Sequence, residues 1–432
     1  MKLLKTHVLP LFAFFAAVFW LSLPPTFAAA PVDGKWDNVI TLPFQPIHMV
    51  LLKNRKVLAV GGQDDAPNPC ILFDTTTDDP SAQFLTPEDP FVPGDAKHNL
   101  FCSGHAALAD GRIVFHGGDP EVFGNKTTIY DPGGGATTAA FEFLAELSPA
   151  WRYYPTLTTL ADGRLLAMGG FASHDASQSF RTPGLFDVTR PPGLRWKTLP
   201  GAEYCTSDLT CPTNNFYVHF YPFMFQLSDG LVLYAGEGEQ TKIIDPPPIK
   251  TRTLDVAQEQ WSAGFPGAEP YIDGKPIGGS AVMYKQDHVM KAGALSGEPA
   301  NDKVYRLDAS SGPALWEEMP ILNQPRFDFY LIALPDGTVV AMGGKGAAGH
   351  TLAPELIDPN AAQPAWTLLA PMASGYGRSY HSVALLLPDA RVMVAGGADS
   401  GPDCPSEDET CDGKSAQIFY PPHALDHGIV LK

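Results

Sequence analysis

Three stretches of the sequence place metal-binding or redox-capable side chains just ahead of an apolar run. KHNLFCSG (97–104) carries Cys102, RYYPTLTTL (152–160) carries Tyr154, and RSYHSVALLL (378–387) carries the adjacent pair Tyr380 and His381. Phenolate and imidazole are the nitrogen and oxygen donors that copper(II) takes in tetragonal sites. Zinc draws on more histidine, cysteine or carboxylate than this set offers. One copper ion exchanges a single electron, so a two-electron oxidation needs a second one-electron centre. A cysteine beside a tyrosine is a candidate for it. These residues lie far apart in the chain, and the chemistry depends on elements that bring them together.

Those elements are a repeat. Seven apolar segments end in Gly-Gly or a variant: KVLAVGG, RIVFHGG, RLLAMGG, LVLYAGEG, HVMKAGA, TVVAMGG and RVMVAGG. Their spacing averages about 56 residues, taken from Gly61 to Gly396 in six steps. Each is preceded by another apolar segment and a turn. Each is followed by a third segment that often ends in Asp, as in CILFD, TIYD, GLFD, KIID, VYRLD and ELID. A fourth often carries tryptophan, as in RWKTL, QWSAG, LWEEM and AWTLL. Four short strands per unit, repeated radially, predict an all-β fold: a seven-bladed kelch-type β-propeller. The last unit ends at AQIFYPP without a fourth strand, while GKWDNVITLP near the N-terminus has the fourth-strand pattern. The expectation is that this N-terminal strand completes blade seven and closes the ring, leaving no open edge. The glycine pairs suit a kink of positive φ, or close backbone contact, where the second strand leaves the crowded centre.

Register turns the repeat into a site. The turn residues Asn54, Asp110, Asp162, Asp229, Gln286, Asp336 and Asp389 each lie seven positions before the glycine. Eight positions before the turn residues lie Pro46, Cys102, Tyr154, Tyr221, Gly278, Asp328 and His381. Equal offsets on strands lining one axis put these seven at one level. Cysteine, two tyrosines, aspartate and histidine thus converge, with Tyr380 beside His381. Tyr221 and Asp328 are supporting residues at that level. Neighbours in a regular strand face opposite ways, so Tyr380 and His381 reach one point only where the backbone is irregular.

The 432-residue chain has a formal net charge of -18. Its start, with Lys2 and Lys5 ahead of VLPLFAFFAAVFWLSL and PPTFAAA, reads as a secretory signal peptide over 1–30. Export to a periplasmic or extracellular space follows, with no membrane span after cleavage. The acidic balance argues against nucleic acid as a partner, and a monomer is expected. Of six cysteines, Cys205 with Cys211 and Cys404 with Cys411 are spaced to close small disulfide loops. The acidic stretch DSGPDCPSEDETCDG (399–413) reads as a solvated loop, with calcium binding as the lesser alternative.

The three stretches resemble segments of the galactose oxidase and glyoxal oxidase family of copper radical oxidases, and the resemblance spans the whole propeller. It implies oxidation of a primary alcohol or aldehyde hydrate by O2, with release of H2O2. It implies that Cys102 becomes thioether-linked to Tyr154, and that this cross-linked tyrosine is the radical cofactor. Tyr380 takes the part of the axial tyrosine and base. Tyr154, Tyr380 and His381 are the copper ligands implied. The family's stacking aromatic falls at Ala172, with Phe171 or His174 as substitutes, and its galactose-binding arginine has no match near Tyr217. Galactose is therefore not the expected substrate. The family's second histidine ligand lies in a C-terminal immunoglobulin-like domain, which would begin at the tail 423–432, so impaired catalysis is one expectation. That tail holds His423 and His427. The alternative is a non-catalytic propeller, 31–422, that binds glycan or cell-wall material.

Overall fold

The computed structural model describes residues 33–61, 69–75, 84–85, 98–118, 124–134, 141–145, 147–170, 182–204, 216, 218, 220–239, 251–263, 271–272, 275–294, 299–312, 315–397 and 413–426. The segment read as a signal peptide, the four cysteines expected in disulfide loops and the acidic stretch 399–412 lie outside the described residues.

Strands, nearly all paired antiparallel, dominate the regular secondary structure of the described residues, beside two 3-10 turns and one short α-helix, Pro422–Asp426. Four sheets are four-stranded meanders, and their first strands are His48–Leu51, Gly104–Ala107, Thr156–Thr159 and Phe220–Gln226. A ten-stranded sheet is two further meanders, entered at Lys275–Lys285 and Phe327–Ala333. They are joined by a single parallel bridge between Ala294 and Phe327. In the remaining sheet, Ser382–Leu386, Val392–Gly396 and Ser415–Tyr420 are completed by strands from the other end of the chain. Trp36 pairs with Phe419 and Ile40 with Ala416, so GKWDNVITLP does lie on the last sheet. Trp36 fixes the join by donating its indole N–H to Ala370 O at 2.7 Å.

The second strands are largely apolar on both faces because both faces are covered, with buried His116 and Lys291 among the exceptions. Val57–Val60 and Val392–Ala395 are almost wholly buried. Burial is divided among seams between successive units rather than gathered in one core. Leu166 and Met168 pack on Val232 and Tyr234; Val340 and Met342 pack on Val392 and Val394. A further seam sets Met393 and Ile418 of the last unit against Met49 and Val57 of the first.

The turn residues repeat in geometry as in sequence. Asn54, Asp110, Asp162, Asp229, Asp336 and Asp389 each accept the backbone N–H two residues on. The kink glycines have a steric reason. Gly396 has φ 74, and a Cβ there would lie 2.6 Å from Pro46 O and 2.7 Å from His381 O. Gly61 is the exception in φ; close approach governs it instead, with Gln45 O 2.7 Å from a Cβ.

The sequence reading missed a set of buried cations that brace these kinks. Arg152, Arg326 and Arg378, each 0 or 1% exposed, donate to Gly169 O, Gly343 O and Gly396 O. In the second unit His98 does the same for Gly117 O at 2.6 Å. Arg326 also pairs with fully buried Glu355, which accepts in addition from the backbone of Asn323 and Gln324. Removing one partner of such a pair leaves an uncompensated charge. Glu355→Ala is expected to lower stability by about 3–5 kcal/mol, and Glu355→Gln by less, as read from urea unfolding midpoints.

Candidate functional site

Five of the seven first strands begin with the same irregularity. Cys102, Tyr154, Tyr221, Asp328 and His381 have φ of 57, 62, 42, 49 and 60. These are five of the seven positions set at one level by register. The other two are Pro46, whose ring excludes such a φ, and Gly278. A left-handed residue that is not glycine is sterically costly and persists only where its surroundings hold it. Here backbone bonds pass from unit to unit. Tyr154 N–H donates to Cys102 O at 3.0 Å, and Tyr221 N–H donates to Tyr154 O at 2.9 Å. Gly397 N–H holds His381 O at 3.0 Å.

This conformation undoes the alternation of strand side chains. Tyr380 and His381 stack with ring centroids 4.0 Å apart and planes 26° apart. Tyr153 and Tyr154 stack in the same way, at 4.0 Å and 30°. The two tyrosines from distant segments then meet: Tyr154 Oη and Tyr380 Oη are 3.1 Å apart and share a hydrogen bond. Buried Cys102 packs in one apolar cluster with Tyr153, Tyr154 and Phe220. The Tyr221 ring lies 5.1 Å from that of Tyr154. Tyr380, at 37%, is the exposed member.

The group borders a cavity of about 370 Å³ lined by residues from all seven units, among them Cys102, Tyr154, Tyr221, Asp328, Tyr380 and His381. The first unit adds His48 and the fifth Gly279. His48 donates Nε2–H to Leu100 O at 2.9 Å, and its ring is 5.2 Å from that of His105.

Two observations test whether these residues fit a metal. His381 Nε2 is buried and has no hydrogen-bond partner among the described residues; a buried polar atom left so calls for an explanation such as an ion. Burial also pushes the Tyr154 phenol far above its usual range, with Cys102 the next cause. Ionising that phenol in place therefore requires a compensating cation. Among the described residues, no group of three histidine, cysteine or acidic side chains is arranged to hold a metal. Two phenols and a neutral imidazole, the His381 pKa being lowered to about 4 by burial, suit copper(II).

Other candidate residues fall elsewhere. Cys70 belongs to a different apolar cluster from Cys102. His98 is tied between Gly117 O and Thr128 Oγ1, and His116 lies against Trp196 with Nδ1–H on Lys126 O. His423 sits 3.3 Å from Asp336, in the turn at the far end of the strand that Asp328 begins. It is therefore remote from the site. Phe171, Ala172, His174, Tyr217, His219 and His427 lie outside the described residues. Sequence reasoning overlooked Tyr153. Its signal was an aromatic just before the register position in five units: Phe101, Tyr153, Phe220, Phe327 and Tyr380.

No protein-family model matches the chain. It is 26% identical to a galactose oxidase of Gibberella zeae over 415 residues, covering 91% of this chain and 56% of that protein. It is 25% identical to the Arabidopsis thaliana aldehyde oxidase GLOX1 over 396 residues, covering 82% of this chain and 55% of that protein. A WSC domain-containing protein of Arthroderma benhamiae is 27% identical over 390 residues, 38% of its length. The chain thus spans little more than half, or less, of these curated relatives. Among solved structures, a fungal alcohol oxidase of the AA5 family in complex with copper superposes with a TM-score of 0.68 over 90% of this chain, at 20% identity.

Burial lowers the pKa of His48 and His116 to about 3, and of His98 and His105 to about 4, against 6.5 for a free imidazole. Between about pH 4 and 6.5 the unfolded chain therefore binds protons that the folded chain does not, and stability rises with pH across that window. The urea midpoint is expected to be lower at pH 5 than at pH 7.5. Equal midpoints would contradict neutral burial.

Proposed function

We infer that this chain, similar to galactose oxidase and to plant aldehyde oxidases, is an exported copper radical oxidase. It acts on a primary alcohol or an aldehyde hydrate with O2 and releases H2O2. The observation that carries the reading is the meeting of Cys102, Tyr154, Tyr380 and His381, with His381 Nε2 unpartnered beside two hydrogen-bonded phenols.

The fold reading that goes with it is a seven-bladed propeller over 31–422, closed through the N-terminal strands. Its support is the seven seams, including the one between last and first units, and a cavity lined from every unit. Residues 1–30 are read as a signal peptide, and the mature protein as a secreted monomer.

Tyr154, Tyr380 and His381 would hold the copper, which supplies one of the two one-electron acceptors. The other is Tyr154 joined to Cys102. In the joining step the Cys102 S–H and a ring C–H of Tyr154 break and a C–S bond forms. Two protons and two electrons pass to O2, giving H2O2. In turnover Tyr380 Oη, the exposed phenol, takes the substrate's hydroxyl proton as general base. Tyr154, once joined to Cys102 and oxidised, would take a hydrogen atom from the substrate carbon. Removal of two electrons and two protons leaves an aldehyde from an alcohol, or an acid from an aldehyde hydrate, and O2 becomes H2O2.

Copper and O2 added to the purified protein are expected to remove two hydrogen atoms from its mass and to join the Cys102 and Tyr154 peptides. Cys102→Ser should keep the starting mass and lose at least about a hundredfold in peroxide release from small primary alcohols or aldehydes. His381→Ala should weaken copper binding. Wild-type protein that binds no copper and keeps its mass would overturn the reading and favour a non-catalytic, glycan-binding propeller.

A further inference from the structure

Tyr153 has no part in the chemistry above, yet it touches the residue on which that chemistry turns. Its ring lies face to face with Tyr154, and its hydroxyl donates to Tyr154 Oη at 3.2 Å. It is 8% exposed, Tyr154 9% and Tyr380 37%. Three phenols thus form a hydrogen-bonded chain, Tyr153 to Tyr154 to Tyr380, at 3.2 and 3.1 Å, with the first two buried and the last exposed. Cys102 packs against the inner two.

We propose that Tyr153 is a positioning residue for Tyr154, setting how readily that ring is oxidised and holding it where Cys102 joins it. The inference rests on the radical-oxidase reading and adds a residue to it. Two contacts act separately. A donated hydrogen bond favours the phenolate oxygen, which carries more negative charge, over the neutral radical oxygen. The Tyr153 hydroxyl therefore makes Tyr154 harder to oxidise. The stacked ring covers one face of Tyr154, which keeps solvent and small reductants off it and limits its swing relative to Cys102. The left-handed backbone at Tyr154 is what lets consecutive side chains do this, since an extended pair would face opposite ways.

The test uses full-length protein treated with copper and O2. Tyr153→Phe removes the hydroxyl and keeps the ring; Tyr153→Leu removes both. Urea midpoints first establish that each variant is folded. In redox titrations followed by radical absorbance, Tyr153→Phe should raise the oxidised-to-reduced ratio at a fixed potential about fivefold, the worth of one net hydrogen bond. Its cross-linking rate should stay near wild type. Tyr153→Leu should form the Cys102 cross-link about fivefold more slowly and lose the oxidised state about fivefold faster. Fragment-ion mapping should place the wild-type bond on Tyr154. A wild-type bond on Tyr153, or folded variants with wild-type potential, decay and cross-linking rate, overturns the proposal alone. Wild-type protein with no cross-link fails the reading beneath it.

Discussion

One left-handed residue at the start of five of the first strands governs how these units meet around the cavity. Cys102, Tyr154, Tyr221, Asp328 and His381 share it, and none of them adopts it cheaply. The conformation lets a backbone carbonyl of one unit accept from the N–H of the next, as Cys102 O does from Tyr154 and Tyr154 O from Tyr221. It also turns two consecutive side chains the same way. The functional candidates are therefore coupled to the joints between units. Residues that hold the sheets in register are the same residues that meet at the cavity.

The joints are closely packed and internally bonded. A kink glycine presses against the carbonyls of the adjoining segments, and a buried guanidinium or imidazole is bonded to its own carbonyl. Three arginines buried without contact with water would be costly if left unpaired. Each donates at least one guanidinium N–H to backbone carbonyls, and Arg326 also pairs with Glu355, while Arg152 Nε and Arg378 Nε and Nη2 have no partner among the described residues. Burial in seven seams places the apolar load between units. The hub is thereby free to carry polar atoms around a cavity without forfeiting a core.

At the hub, electrostatics favours neutral groups until something charged arrives. His381, His48 and His105 are held neutral by burial, and the Tyr154 phenol keeps its proton for the same reason. His381 Nε2 stands without a partner. Its neighbours on the cavity wall include the Tyr154 and Tyr380 phenols and Asp328. The stacking of Tyr153 on Tyr154 adds a second aromatic layer that the register alone did not suggest.

The repeat and the hairpin turns were legible in the sequence, because each follows from local chemistry that recurs at a fixed spacing; of the seven register residues, five share one backbone conformation and line the cavity. Asp110 and its counterparts cap their own turns, and apolar second strands mark themselves by composition. The resemblance to galactose and glyoxal oxidases was legible too, and the chain is 25–26% identical to proteins with those names. What only the tertiary structure decided was direction and distance. Whether Tyr380 and His381 face one way depends on a single φ at His381 that no residue-type rule assigns to histidine. That Arg152, Arg326 and Arg378 are buried depends on carbonyls a unit's own kink exposes. Tyr153 joins the site only because Tyr154 adopts a backbone conformation enforced by its neighbours, and His423 leaves it because the final helix docks beside Asp336.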